Sequence, residues 1–313
     1  MKIIDDWQND ASLKGDRVVM TIGTFDGLHL GHQALIREVM KSAGEKKASS
    51  LLLTFEPHPL SVLSPNFAPE TLTTFAQKSE ILSAMGLDIL ACLRFTEAFS
   101  TISYKDFLEE CLYPKADILE ISIGPDFSFG RNAEGNLELL SSWAKEKGIA
   151  IRTLPIQMTQ RGESLSSSHV RGLIKVGLVE SASKLLGRPY KIEGTVISGA
   201  KRGRHLGFPT ANLGTLEQLV PGPGVYAVKA CLRGKILPGM TSIGNNPTFK
   251  NQYLTVETYI FDFSEEFYGE RLGLEFISRI RNMIRFDGPE SLVSQLIDDE
   301  KKARLVLGCT AKN

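Results

Sequence analysis

The chain has 313 residues, 36 Lys+Arg balanced by 36 Asp+Glu, and 42% hydrophobic residues. That length corresponds to about two domains of roughly 150 residues, and the balanced charge argues against the strongly basic profile of a dedicated nucleic-acid binder. No apolar run approaches the ~18 residues of a membrane helix, and the opening MKIIDDWQND lacks the apolar core of a secretory signal. The four cysteines (Cys92, Cys111, Cys231, Cys309) form no CxxC pair. They read as reduced thiols in a cytoplasmic protein, not as a zinc module or a disulfide scaffold.

Apolar runs at 17–23, 50–55, 89–95, 117–124 and 150–155 read as buried strands, and 33–43, 75–85, 104–113 and 137–147 carry helical spacing. That alternation predicts an α/β domain, a parallel sheet covered by helices. After residue 187 the texture changes to short strand-like runs at 190–198, 224–232, 235–243, 254–263 and 272–280, punctuated by turns such as PGPG at 221–224 and GNNP at 244–247. These predict an antiparallel barrel or sandwich. An amphipathic stretch over 289–307, with Pro near its start, predicts a closing helix. The boundary falls in LGRPY at 186–190, where Gly and Pro end a helix.

The run at 17–23 leads into Gly23-Thr24-Phe25-Asp26-Gly27-Leu28-His29-Leu30-Gly31-His32, ahead of a helix. Glycines let a backbone approach phosphate, and the N-terminus of the next helix offers unpaired N–H groups and partial positive charge. His29 and His32, three apart, can face one pocket as that helix begins, where an imidazole near neutrality donates to a phosphate oxygen. The alternatives are a metal pair or two packed histidines; without a third ligand nearby the zinc site is poor. Further along, Ser166, Ser167 and Ser168 precede a helical stretch and suit an N-cap, a role compatible with cradling phosphate because both use the same N–H groups. His58, between two prolines, and Asp126, after Gly124-Pro125, read on composition alone as turn formers.

Together these segments resemble the adenylyltransferase module of the bacterial bifunctional riboflavin kinase/FMN adenylyltransferases, the FAD synthetases. The resemblance runs through GTFDGLHLGH at 23–32, TFEPHP at 54–59, GPDFSFG at 124–130 and LSSSHVR at 165–171. It implies a Rossmann-like domain in which Gly23, Phe25, Asp26, Gly27, Gly31, Ser166, Ser167, Ser168 and Arg171 contact ATP and its phosphates. It also implies that His29 and His32 are catalytic and that Asp126 and Phe127 lie on the flavin side. In the last segment Ser164 and His169 stand where the family usually carries arginine.

In the second half, GAKRGRHLGFPTAN at 199–212 is neither GxxxxGK[ST] nor GxGxxG, and neither pattern occurs in the chain. Three basic residues among glycines suit a polyphosphate. Thr210 and Asn212, two apart on an extended segment, point their oxygens to one side. Such a pair suits Mg²⁺, which takes few protein oxygens plus phosphate and water. A solvated basic hairpin tip accounts for 201–204 but leaves FPTAN unexplained. GFPTAN resembles the riboflavin kinase motif of the same family, with further matches in GVYA at 224–227, IGNNPTF at 243–249 and FYG at 267–269. The resemblance implies ATP or flavin contacts from Lys201, Gly203, Gly207, Phe208, Pro209 and Arg271, with Mg²⁺ at Thr210 and Asn212. It also implies a catalytic base at Glu257, which alone reads as one polar residue in an alternating strand.

The resemblance spans nearly the whole chain, with motifs in matching order. It implies an adenylyltransferase domain over 1–186 and a riboflavin kinase β-barrel domain with a terminal helix over 187–313. One ATP would phosphorylate riboflavin to FMN, and a second would adenylylate FMN to FAD with release of pyrophosphate. The implied partners are small molecules (riboflavin, FMN, ATP), with no nucleic acid, no membrane and at most weak self-association. Two competing expectations are a nucleotidyltransferase for another phosphate acceptor, opposed by GFPTAN and Glu257, and a flavin binder that has lost an activity, motivated by Ser164 and His169.

Overall fold

The computed structural model describes residues 1–155, 165–199, 207–214, 216–245 and 254–309. They gather into two compact units, Met1–Pro69 with Thr74–Ser166, and Glu70–Thr73 with Ser167–Asn313.

The first unit is a sheet of six strands: β1 (Lys2–Ile4), β2 (Arg17–Ile22), β3 (Ser49–Glu56), β4 (Ile89–Arg94), β5 (Asp117–Ile123) and β6 (Ala150–Thr153). Their order is β1-β4-β3-β2-β5-β6, and every pair is parallel. Between them run α1 (Leu30–Lys46), α2 (Pro59–Leu63), α3 (Phe75–Met85), α4 (Glu97–Ser100), α5 (Tyr104–Asp106) and α6 (Leu137–Lys147). The central strands of a parallel sheet are covered on both faces, so β2, β3 and β4 read as mostly apolar runs. In β2, Val18, Met20 and Ile22 enter one core with Leu51, Leu53 and Ile121, while Val19 meets Val39 and Ala43 of α1 on the other face. Thr74 caps the N-terminus of α3 and Asn136 that of α6, and Gly86 and Gly148 end these helices in left-handed backbone.

All five strands expected in this half are present. The three-residue β1 escaped the sequence reading, and the helix expected at 104–113 is the short α5 continued by a π-helical turn, Phe107–Leu112. The topology reverses at β2, with β3 and β4 on one side and β5 and β6 on the other. The loops leaving the C-terminal ends of β2 and β5 therefore diverge, which opens the crevice where α/β sheets take their ligands.

In the second unit, helices α7 (Ser167–Lys175) and α8 (Val179–Leu186) precede the barrel strands β7 (Tyr190–Ile197), β8 (Ala211–Leu213), β9 (Gly224–Leu232), β10 (Lys235–Asn245), β11 (Leu254–Ile260) and β12 (Arg271–Arg281). The strands close in the order β10-β11-β8-β7-β12-β9, antiparallel throughout. Closure removes free edges and decides between the two architectures the sequence left open. Side chains alternate inward and outward along β7. Val170, Ile174, Val179, Ala182 and Leu186 of α7 and α8 share one core with Tyr190, Tyr226 and Phe276 of the barrel. The closing helix α9 (Pro289–Leu307) packs Ala303 against Ala227, Met240 and Phe261, and its fully buried Asp299 receives Arg281 through Nε at 2.9 Å and Nη2 at 2.7 Å.

Candidate active sites

The first site grows from the turn between β2 and α1, at the topological switch point. The Gly23 N–H continues the sheet by donating to the Leu53 carbonyl at 3.1 Å. Phe25, Gly27 and Leu28 then take positive φ (48°, 80° and 43°), which folds the chain sharply before α1. Gln33 pins this turn from inside α1, donating to the Leu28 carbonyl at 2.9 Å. His29 is the N-cap of α1: its Nδ1 accepts from the His32 N–H at 3.3 Å. A ring nitrogen that accepts carries no proton, so in this tautomer Nε2 is the donor.

The His29 and His32 rings stack with centroids 3.7 Å apart, and Phe25 meets His32 edge-on at 5.2 Å. Burial, reinforced by His29 and Lys78, holds the His32 pKa well below the usual imidazole value of 6.5. Its Nδ1 is buried and has no hydrogen-bond partner among the described residues. Gly31 is needed between them, because a Cβ there would stand 3.2 Å from the His29 ring. The structure thus joins His29, His32, Gly23, Phe25, Gly27 and Gly31 in one turn, with Asp26 buried inside it.

Asp126 and Phe127 lie in the loop after β5, the other loop at the switch point. Asp126 is exposed, and Phe127 stacks on Phe129 with centroids 5.4 Å apart. His58 is the N-cap of α2, its Nδ1 accepting from the Leu60 N–H at 3.2 Å, so the turn-forming role is real. Ser166 ends the first unit, while Ser167 and Ser168 open α7 in the second. Arg171 on α7 donates through Nε to the Glu70 carbonyl at 2.9 Å.

The second site lies on the barrel wall. Glu257 of β11 sits directly across from Asn212 of β8, so their side chains share one face. Their neighbours Val256, Thr258, Ala211 and Leu213 are buried, whereas Glu257 and Asn212 are half-buried on the opposite face. Thr210, two residues before Asn212, follows the same alternation. Gly199 packs so closely on the Asn212 amide that a Cβ there would overlap it. Gly207 (φ 84°) turns the chain, and Phe208 is buried against Tyr259 with ring centroids 5.2 Å apart, so it anchors Pro209–Asn212 as a core residue.

Beside Thr210 opens a cavity of about 260 Å³, walled by Pro209, Val196, Ile260, Phe263 and Phe267. Arg271 is not among its lining residues; it is largely exposed and donates to Glu193 at 3.2 Å. Lys201, Gly203, Ser164 and the 246–249 part of the Asn-Pro motif lie outside the described residues. Two supporting residues escaped the sequence reading. Gly199 was read only as part of a glycine-rich run, and Lys78, buried beneath the β2–α1 turn, gives no motif signal.

A glycine-rich turn at the switch point of a parallel sheet and a hydroxyl–amide–carboxylate face on a closed barrel are two candidate centres of the kind a nucleotide-dependent transferase would use. The FAD synthetase profile matches residues 12–169 and the riboflavin kinase profile residues 186–307. The chain is 41% identical over 290 residues to the bifunctional riboflavin kinase/FMN adenylyltransferase of Listeria monocytogenes, covering 91% of each chain. It is 33% identical over 311 residues to that of Escherichia coli K12, covering 99% of each. A solved chain from Streptococcus pneumoniae, described as a macrolide-efflux protein, superposes with a TM-score of 0.85 at 30% identity, over 96% of this chain and 98% of that one. The chain belongs to the bifunctional riboflavin kinase/FMN adenylyltransferase family. It phosphorylates riboflavin to FMN and adenylylates FMN to FAD, with ATP as co-substrate. Among the described residues no helix is long and apolar enough to cross a membrane.

Proposed function

We propose that the two activities divide functionally at 1–186 and 187–313, with FMN formed at the Thr210–Asn212–Glu257 face and FAD at the His29–His32 turn. What carries the kinase assignment is the cross-strand register of Glu257 with Asn212. Glu257 accepts the proton of the riboflavin 5′-hydroxyl as it attacks the γ-phosphorus of ATP. The donors Thr210 Oγ1 and Asn212 Oδ1 are hard oxygens on one face, a set that fits Mg²⁺. When bound, the ion neutralises the charge of the transferring phosphate. The cavity beside Thr210 takes one of the two flat substrate rings, and the gap left by Gly199 keeps the Asn212 amide in place.

In the adenylyl transfer, the FMN phosphate attacks the α-phosphorus of ATP and pyrophosphate leaves. A phosphate monoester is already largely ionised at neutral pH (second pKa about 6), so no strong base is required. What the step needs is donors for growing charge, and these are N–H groups at the start of α1 and Nε2–H of His29, with His32 beside it. Asp126 and Phe127, on the loop after β5, supply the flavin side of that crevice.

A cytoplasmic setting accords with four free cysteines. The partners are riboflavin, FMN and ATP, with no nucleic acid or membrane and with weak self-association at most. The test is separability, followed by chromatography of flavins. Asn212→Ala should block FMN formation and spare FAD formation from supplied FMN, and Thr210→Val should raise the Mg²⁺ concentration needed for half-maximal kinase rate. Loss of both activities in Asn212→Ala would sink the division of labour.

A further inference from the structure

Lys78 is a costly side chain beneath the first site. It lies in the first turn of α3, and its side chain is only 4% exposed. Its ammonium donates to the Thr24 carbonyl at 2.9 Å and to Thr54 Oγ1 at 3.0 Å, and the nearest carboxylate, Glu56, stands at 3.7 Å and is itself 40% exposed. Burial lowers its pKa, with Glu56 and Asp26 opposing that shift. Taking a cation out of water for two neutral oxygens and one partly solvated carboxylate is expensive, and an apolar isostere at such a place is often as stable or more so. The helix needs no charge here.

What the charge does touch is the nucleotide turn. The Thr24 carbonyl that receives Lys78 also accepts from Thr54 Oγ1 at 3.1 Å, so one oxygen of the turn is held by β3 and α3 together. The next residue, Phe25, is the first to turn to positive φ and carries the ring that meets His32. Lys78 is thus linked through one carbonyl to the backbone that presents its N–H groups to phosphate. It also opposes a proton on His32, which favours the neutral form of that imidazole.

We propose that Lys78 is a positioning residue of the adenylyl-transfer step: its buried ammonium clamps the Thr24 carbonyl from beneath, fixing the 23–27 turn in its phosphate-receiving shape and placing a positive charge beneath that turn. This rests on assigning FAD formation to the His29–His32 turn. The His29→Ala, His32→Ala variant tests that assignment independently, so the two can fail separately.

The experiment uses the full chain with Lys78→Met, similar in length and uncharged. Steady-state FAD formation from FMN and ATP, riboflavin phosphorylation, and thermal unfolding are measured on the same preparation. The expected result is a fall of about 10- to 100-fold in kcat/KM for ATP in FAD formation, with KM for FMN within about twofold, riboflavin phosphorylation unchanged and Tm equal or higher. A merely structural lysine would lower Tm and leave the kinetics of the folded enzyme at the parental value, and that outcome overturns the proposal. If Lys78→Met loses the unfolding transition of its unit, Thr54→Val decides: it keeps the charge, removes one tether and should lower the same kcat/KM about 3- to 10-fold, and a parental value there overturns the proposal. When both variants fold, the double variant should be no worse than Lys78→Met alone. Additive losses would mean the two residues do not act through the shared carbonyl.

Discussion

The two sites are assembled by opposite means. In the parallel sheet the central strands are mostly apolar, and the candidate groups stand on turns beyond their C-terminal ends and on the first residues of α1. In the barrel the strands themselves carry the site, because an antiparallel wall has one face toward the core and one toward solvent, and register places Glu257 beside Asn212. The difference follows from burial. A strand covered on both sides holds a polar group only where a partner meets it, as Lys46 and Ser42 meet Glu120, whereas one with a solvated face can hold a carboxylate and an amide at neighbouring positions. On the proposed assignment, adenylyl transfer draws on backbone N–H groups, a helix end and two imidazoles, while phosphoryl transfer from ATP to a neutral hydroxyl draws on a carboxylate base.

Breaking the barrel site at its base should give the largest effect. Glu257→Gln removes the proton acceptor while keeping the shape, and should lower FMN formation by about 10³-fold, within the 10²–10⁴ typical of a general base. FAD formation from supplied FMN should hold steady, as read by flavin chromatography. The reverse lesion, His29→Ala with His32→Ala, should lower FAD formation by about 10²- to 10³-fold while riboflavin still becomes FMN; an unchanged FAD rate would refute the phosphate role of the pair.

A smaller and more diagnostic lesion is Gly199→Ala. The added methyl meets the Asn212 amide, the mobile end of a side chain, so the barrel should fold normally with Asn212 displaced. Misplacement of this size should lower FMN formation by about 10- to 100-fold with Tm nearly unchanged. A normal kinase rate would show that the Asn212 orientation is not critical.

The smallest effect is on stability and concerns the first unit alone. The folded site disfavours a proton on His32, so its pKa lies well below the ordinary 6.5. Above 6.5 neither folded nor unfolded His32 is charged; below it the unfolded chain binds a proton that the folded one refuses. Stability from this group is therefore lost as pH falls from 6.5 toward the depressed value, by at most about 1.4 kcal/mol per pH unit. Thermal unfolding of the parent and of His32→Asn between pH 7 and 5 should show a shallower decline for the variant, and parallel curves would contradict the burial of a neutral imidazole.

Much of this was legible in the residues. Continuous apolar runs and alternating ones told the parallel half from the antiparallel half, since the two patterns reflect two-sided and one-sided burial. The Gly-rich turn with His29 and His32, and the FPTAN segment, marked both sites because their chemistry needs residue types that chance seldom groups. Less legible were β1 and β8, each three residues long. They are too short for periodicity and are defined only by pairing with β4, and with β7 and β11. Glu257 on its own was indistinguishable from any exposed strand residue.

The sequence by itself determined the class of each half, the place of each candidate turn and the chemical types within it, because these depend on local pattern and side-chain chemistry. Only the tertiary structure decided which distant residues meet. It closed the strands into a barrel, brought α7 and α8 into that barrel's core, set Glu257 opposite Asn212, and placed Lys78 of α3 beneath a turn 54 residues earlier. Such pairings come from strand register and helix packing over the whole unit, and no short stretch of sequence encodes them.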